Sequence, residues 1–346
     1  MVKPLTGFNG LETHHCITGS MRYIYEYNRH PISEEMLLGL GAGVGFIYWH
    51  TKGSIPFIGG RANFTRPGIE GQEKTSGRRT GVRVEIFNTS STKKAKETML
   101  AMLEKDEPVM IMCDMGYLPY MDFGGEEYHF GGHAVVVCGY DAESREVLVA
   151  DRDGLHPVPI EILMKARGST YKPFPPKNQW YKYDFSGKRF PTAEEVCQAI
   201  QEQVAGMLEP PISNMGVRGI RKAAQRVQKW PDVLSEKDLR YAMFNTYIFI
   251  DAKGGTGGGI FRTMFSRFLR EGAEMLGNER LGNERLNKIA DDFQGISDDW
   301  QAVAEIFKQG WEADDPLAVL CEVKEPMLAI AEREETTWTA LGSVVF

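Results

Sequence analysis

Two kinds of pattern meet near residue 190, and that change constrains the fold more than any other feature of the sequence. From Pro191 onward helical apolar periodicity returns repeatedly, over 192–208, 216–229, 235–250, 260–276, 283–294, 297–310 and 316–335, with short breaks. Before it the pattern is mixed. Helices are predicted over 18–28, from Ser33 as an N-cap to Leu40, and over 91–105 with Met99, Leu100, Met102 and Leu103 inward. Strand-like runs follow or alternate with them at 55–59, 81–87, 108–113, 133–140, 146–151 and 180–184. The loop Asp141–Arg145 has the length of a hairpin connection between two of these. The polar stretch Arg61–Thr80 reads as a loop, and the proline-rich stretch 171–178 as an extended linker. The expectation is an α+β catalytic-type domain with a mainly antiparallel sheet over 1–188, and an all-α domain over 189–346. A chain of 346 residues fits two such domains. The tandem Leu-Gly-Asn-Glu-Arg at 276–285 is too short for a solenoid and reads as a local duplication.

A formal net charge of −7 argues against a general nucleic-acid binder. No apolar run approaches the roughly 18 residues that would cross a bilayer. The first residues, Met1 to Asn9, lack the apolar core of a signal peptide, so a cytoplasmic protein without membrane or nucleic-acid partners is expected. The five cysteines are odd in number and widely spaced, which predicts reduced thiols rather than a disulfide framework. Cys113 and Cys138 sit in apolar strand-like runs, and Cys197 and Cys321 in helical patterns, where packing roles are expected.

Cys16 differs from the other four. It lies in Asn9-Gly-Leu-Glu-Thr-His-His-Cys-Ile-Thr-Gly-Ser20, just before the first predicted helix. A thiol there faces unpaired backbone N–H groups and the positive end of the helix dipole, and both favour thiolate. A nucleophile also needs a base and a group to orient that base. The chain offers His133 at the start of one strand of the hairpin and Asp151 at the end of the other, which brings the two to the same end of the sheet. In that arrangement His133 Nδ1–H is expected to donate to Asp151 while Nε2 faces the thiol. Gly131 and Gly132 leave room for a substrate beside His133. His14 and His15 adjoin the thiol, and a structural or substrate-contacting role suits them better than that of the base. Spacing alone leaves this papain-like site and ordinary packed residues as open alternatives.

Three further features invite functional readings. Gly39, Gly41, Gly43 and Gly45 do not make a dinucleotide-binding fingerprint and follow a helix rather than a strand, so close packing is expected. In Lys253-Gly-Gly-Thr-Gly-Gly-Gly-Ile-Phe-Arg262, Gly257, Gly258 and Arg262 are candidates for an anion site, with a packing turn as the alternative. Arg218, Arg221, Lys222, Arg226 and Lys229 form a basic stripe, either a solvated face or a dock for an acidic carrier protein. The paired aspartates at 291–292, 298–299 and 314–315 lack a calcium-loop pattern, and no cluster has zinc spacing, so no metal is expected.

The stretch His15-Cys-Ile-Thr-Gly-Ser-Met21, then Ser33-Glu-Glu-Met-Leu-Leu-Gly-Leu-Gly-Ala-Gly-Val-Gly-Phe46, resembles the N-terminal domain of the butirosin biosynthesis protein H family. Gly-Gly-His133-Ala-Val-Val-Val and Val-Ala-Asp151 fit the same family. The helical half, with Trp230-Pro231 and Gly254–Arg262, is similar to the domain of unknown function that often follows it. That resemblance implies an acyltransferase of secondary metabolism, one that moves an aminoacyl group from a carrier-protein thioester to an amine. It also implies a papain-like fold related to the double-glycine leader peptidases. Cys16 would then form the acyl-enzyme, His133 would be the base and Asp151 its orienting group. The leader peptidases have an oxyanion-hole glutamine six residues before their cysteine, where this chain has Gly10. Asn9, His15 or the Cys16 backbone N–H are the alternatives here.

The resemblance implies no cofactor beyond a phosphopantetheine-linked acyl donor as substrate. The implied partners are an acyl carrier protein or small thioester and a small amine. Two other functions stay open at this level: a cysteine peptidase or amidase, in which water replaces the amine, and a non-catalytic peptide- or carrier-binding protein.

Overall fold

The computed structural model describes residues 2–61, 70–122, 128–172, 174–276 and 282–344. Helices are combined with antiparallel sheet, and the chain divides into two compact units, 1–37 with 80–190, and 38–79 with 191–346. The second unit thus takes a segment from the first half of the sequence. That segment, expected in the first domain, carries a strand pair, β1 (Val44–Trp49) and β2 (Phe57–Arg61), so the unit as a whole combines this pair with the helices of 191–346.

In chain order the first unit begins with α1 (Cys16–Tyr27) and the start of α2 (Glu34–Leu40), which Ser33 caps by accepting the Met36 N–H at 2.9 Å. Past the inserted segment, with its α3 (Gln72–Arg79), come β3 (Arg83–Phe87), α4 (Thr92–Leu103), β4 (Val109–Cys113), β5 (His133–Asp141), β6 (Glu146–Asp151), β7 (Gly154–Pro159), α5 (Ile160–Arg167) and β8 (Trp180–Asp184). The six strands make one antiparallel sheet in the order β3-β8-β4-β5-β6-β7. β7 and α5 have no counterpart in the sequence reading. The prolines at 157 and 159 lie on an edge strand, where a missing N–H costs no ladder bond.

Strand β5 is central, and its Ala-Val-Val-Val-Cys run is buried on both faces. Val135 and Val137 join a core with Met99 and Leu103 of α4 and Leu163 and Met164 of α5, while α1 packs along β4, β5 and β6. A strand covered on both sides needs no alternation, which explains its unbroken apolar sequence. At Cys138 the register with β6 shifts, and Leu5 N–H bonds the Cys138 carbonyl. The N-terminal segment is thereby laid along the sheet, and farther on its Thr13 N–H bonds the Arg152 carbonyl just past the end of β6.

The second unit contains helices α6 (Ala193–Leu208), α7 (Gly216–Val227), α8 (Glu236–Ile250), α9 (Arg262–Leu276), α10 (Gly282–Glu312), α11 (Pro316–Leu320) and α12 (Lys324–Gly342). The two helices expected at 283–294 and 297–310 are one, and the helix expected at 316–335 is two. Part of the loop expected at 61–80 is α3. The remainder of that loop, 62–69, and part of the tandem repeat, 277–281, lie outside the described residues. Gly39 packs on the Phe268 ring, and Gly41 and Gly43 on the Gln72 side chain. Close packing is therefore the role of these three, and the residues just after them form β1.

Candidate active site

Cys16 is the first residue of α1, and His15 is the cap before it. The turn that delivers Cys16 is held by a carboxylate from the next helix. Glu34, fully buried, accepts the backbone N–H groups of His14 and His15, both at 2.8 Å, and the Thr18 hydroxyl at 3.0 Å. On sequence alone Glu34 is only a favourable acid in the first turn of a helix. Here three donors satisfy it, which is what permits a buried carboxylate.

His133 opens β5 opposite Cys113, and Asp151 closes β6. Antiparallel pairing brings these ends together, and His133 Nε2 lies 2.7 Å from Asp151 Oδ2 with both side chains buried. The ring nitrogens are reversed from the expectation. The carboxylate lies across the strand pair, within reach of the distal Nε2, which leaves Nδ1 as the nitrogen not engaged by Asp151. Asp151 is held on every side. Its Oδ2 also accepts the Tyr120 hydroxyl at 2.9 Å, its Oδ1 the Arg152 N–H at 2.8 Å, and its carbonyl the Tyr23 hydroxyl at 2.9 Å.

Cys16 is partly exposed, and His133 and His15 are the side chains that lower the pKa of its thiol. Burial of its surroundings pushes the thiol up. The positive charge of His15 and hydrogen bonds from His133 and His15 outweigh that and hold it well below the ordinary cysteine range. For His133 burial acts downward, and the Asp151 charge and hydrogen bond, followed by Cys16, raise the ring well above its ordinary value. Asp151 is pushed up by burial but held low by His133 and the Arg152 N–H. The arrangement favours thiolate and imidazolium over thiol and imidazole, with an ionised carboxylate behind them. Cys113 and Cys138 behave oppositely, burial pushing both thiols up. Cys321 is exposed rather than packed, its thiol donating to the Ala318 carbonyl.

Other expected contributors have partners of their own. Asn9 is exposed, donates to the Gly7 carbonyl at 3.3 Å and lines a cleft of about 110 Å³ with Phe8, Tyr23 and Tyr27. Gly131 and Gly132 do not open space for a substrate. The chain's own Phe174 carbonyl and Pro176 crowd Gly131, and the Phe130 ring crowds Gly132. The anion site expected at Gly257, Gly258 and Arg262 is filled from within. Arg262 is fully buried, with Nε and one terminal nitrogen on the Glu334 carboxylate at 2.8 and 2.9 Å and the other on the Gly45 and Ile260 carbonyls. The N–H of Gly258 bonds the Thr256 hydroxyl, and Gly257 is a left-handed turn residue. In the basic stripe Arg221 pairs with Glu335, Arg218 donates to the Pro210 carbonyl, and Lys222 donates to Ser213 and Asn214.

Tyr120, Glu34 and Thr18 are the contributors absent from the sequence reading. Tyr120 lies in the irregular stretch Gly-Tyr-Leu-Pro-Tyr-Met, with no periodicity that marks its partner. Among the described residues no group of three or more His, Cys, Asp or Glu side chains could hold a metal ion. No helix among them is long and apolar enough to cross a membrane.

Two family models match the chain. One, described as butirosin biosynthesis protein H, N-terminal, covers residues 15–152 and so spans Cys16, His133 and Asp151. The other, described as a domain of unknown function (DUF4872), covers 161–341. No match is found among curated proteins. The first model takes in the helix start, both hairpin strands and the carboxylate that ends them, and the second more than half of the chain; the chain belongs to the butirosin biosynthesis protein H-like family, whose name points to a biosynthetic enzyme.

Proposed function

We propose that this protein is a cysteine-dependent acyltransferase of papain-like design, carrying an acyl or aminoacyl group from a thioester to an amine through Cys16. The observation that supports the reading is the Cys16 thiol at the start of α1, held low by His15 and His133, the second of which is locked to a buried aspartate. The Cys16 thiolate attacks the thioester carbonyl carbon. The carbon–sulfur bond of the donor breaks, and its thiolate leaves with the proton from His133. In the second half the amine nitrogen attacks the acyl carbon, the bond to Cys16 breaks and His133 takes the nitrogen's proton. Asp151 keeps its charge and orients the ring throughout. As first residue of α1, Cys16 has a backbone N–H with no intrahelical acceptor, and that N–H is an available donor to the tetrahedral oxyanion. The donor is a carrier-protein or small phosphopantetheine-type thioester and the acceptor a small amine, with no resident cofactor.

The test is acyl-enzyme trapping. Incubation with acyl-N-acetylcysteamine thioesters, followed by intact mass, is expected to add one acyl group, absent from Cys16→Ser. A panel of small amines should then speed its loss and yield amide. Loss to free acid at a rate no amine changes would replace the transferase with a hydrolase. A full panel of aminoacyl and acyl thioesters that leaves Cys16 unmodified would remove the acyl-enzyme reading.

A further inference from the structure

Asp114 is a fully buried carboxylate that the scheme above does not use. It directly follows Cys113, the residue paired with His133 across β4 and β5. Its Oδ1 accepts the N–H groups of Gly116 at 3.1 Å and Phe130 at 3.0 Å, and its Oδ2 accepts the Ser169 hydroxyl at 2.6 Å and His129 Nδ1–H at 2.9 Å. Capping the short 115–117 turn takes only the first of these donors, and asparagine or serine would do that without the cost of burying a charge. The other three come from the stretch that leads into β5 and the stretch that follows α5. Four donors suit the two oxygens of a carboxylate and exceed what a single amide oxygen accepts.

These bonds hold the chain that carries both partners of Asp151 Oδ2. Met115 N–H bonds the Phe130 carbonyl at 3.1 Å, and Asp114 N–H bonds the Ala166 carbonyl at 2.9 Å, so the outgoing and returning chain are laced together at Asp114. From there the chain runs through successive turns, with N–H bonds from Tyr117 to the Asp114 carbonyl, Leu118 to Met115 and Met121 to Leu118. Leu118 is buried, and these turns carry Tyr120. On the returning side Phe130 stands just ahead of His133, the first residue of β5. The Tyr120 hydroxyl and His133 Nε2 then meet on Asp151 Oδ2 at 2.9 and 2.7 Å.

We propose that Asp114 is a positioning residue for the His133–Asp151 pair: by clasping both sides of the 114–130 stretch, it sets where Tyr120 and His133 converge on one carboxylate oxygen. The proposal rests on the reading of that pair as the base for Cys16 and its orienting group, and deepens it. A charge-assisted hydrogen bond depends on distance and angle, so a small displacement of either partner weakens the hold on the imidazole proton.

The titration of the His133 ring tests this, followed by NMR of protein labelled at the histidine rings and assigned with His133→Gln. Asp114→Asn keeps the volume and leaves one oxygen for four donors. It is expected to lower the His133 inflection by about one pH unit or more, a tenfold change in the acid constant. Ser169→Ala removes one donor and alters no charge, and a smaller shift in the same direction is expected. Wild-type inflections in both variants, even with lowered urea midpoints, would make Asp114 a staple of the fold and overturn the proposal. A shift in Asp114→Asn with none in Ser169→Ala would trace the effect to the charge of Asp114 rather than to placement, and would overturn it too. Should Asp114→Asn fail to fold, Ser169→Ala decides alone. A wild-type protein that traps no acyl group, while His133 responds to both variants, would remove the acyl-enzyme reading and leave the positioning role standing.

Discussion

Tyr120 and His133 share one oxygen: the Tyr120 hydroxyl donates to Asp151 Oδ2 at 2.9 Å and His133 Nε2 meets the same atom at 2.7 Å. Burial, and then the Asp151 charge, raise the Tyr120 phenol well above its ordinary value, so it remains a donor across the working pH range. Its ring stacks on His156, whose Nε2 pairs with Asp153. The carboxylate is thus fixed by a tyrosine that is fixed by a third side chain. Tyr120→Phe keeps the stack and removes one donor to a buried charge. The expected cost is about 1.5–3 kcal/mol, read as a lower urea midpoint at pH 7. A midpoint equal to the wild type would show that Asp151 does not depend on this bond.

Asp151→Asn removes the charge that raises His133 while keeping the shape. The imidazolium then loses its partner, and the thiolate loses part of the proton-holding power beside it. Cys16 alkylation should require a pH higher by about one unit or more, since one pKa unit is a tenfold change in the acid constant. An unchanged inflection would mean that Asp151 serves packing alone.

The pH dependence of stability follows from the direction of the Asp151 shift. Its native value lies below the unfolded one of about 3.9. A depressed carboxylate contributes stability that is fully present above the unfolded value and lost as pH falls through the native one. The gap in urea midpoint between wild type and Asp151→Asn should therefore shrink below about pH 4, and because the same change removes the charge that raises His133 it should also narrow as pH rises past the ordinary histidine value of about 6.5. A gap that instead widened from pH 4 downward would reverse the direction assigned to Asp151.

The hairpin and the helix start were legible because local rules govern them: a five-residue loop between apolar runs, and a polar junction ahead of a periodic stretch. These rules bring His133 and Asp151 to one sheet end without any knowledge of the remaining chain. What they do not encode is orientation. Which nitrogen of His133 meets Asp151 depends on how far apart β5 and β6 place the two side chains. The role of Glu34 depends on α2 turning its first residue back toward α1. Tyr120 and Glu34 are tertiary partners, and neither composition nor periodicity marks them. The same limit explains Arg262, where a glycine-rich turn and an arginine suggest an anion site until the internal carboxylate is seen. Of the strand pair at 44–61, the second strand overlaps the run expected at 55–59, while the first follows directly on glycines whose pattern speaks for close packing and not for what comes after them.

Gly39 makes the packing statement testable. A Cβ there would fall within the Phe268 ring, which is completely buried. Gly39→Ala gains helix propensity, which alone would stabilise by roughly 0.8–1 kcal/mol. Overpacking of a closed core costs about 1–3 kcal/mol and should win, lowering the thermal midpoint. A raised midpoint would mean that Phe268 yields easily.

Glu334 gives the sharpest test of the second unit. Its carboxylate takes four donors: Nε and a terminal nitrogen of Arg262, Trp300 Nε1 at 2.9 Å and Trp338 Nε1 at 2.9 Å. Arg262, Glu334, Trp300 and Trp338 are all fully buried. Glu334→Gln keeps the volume, leaves the guanidinium charge without its counter-ion and turns an amide N–H₂ toward existing donors. Removing one partner of a buried pair costs about 3–5 kcal/mol, because the remaining charge stays desolvated. Replacing both members by apolar residues of matching size should cost less than the single change, since no charge is then stranded. Urea unfolding of Glu334→Gln and of Arg262→Met, Glu334→Leu separates the two expectations. A double variant less stable than the single one would show the ion pair to be a net stabiliser rather than a pair whose value lies in mutual satisfaction. Inorganic phosphate should leave the wild-type midpoint unchanged beyond its general salt effect, because the Arg262 donors are already occupied by Glu334 and two carbonyls.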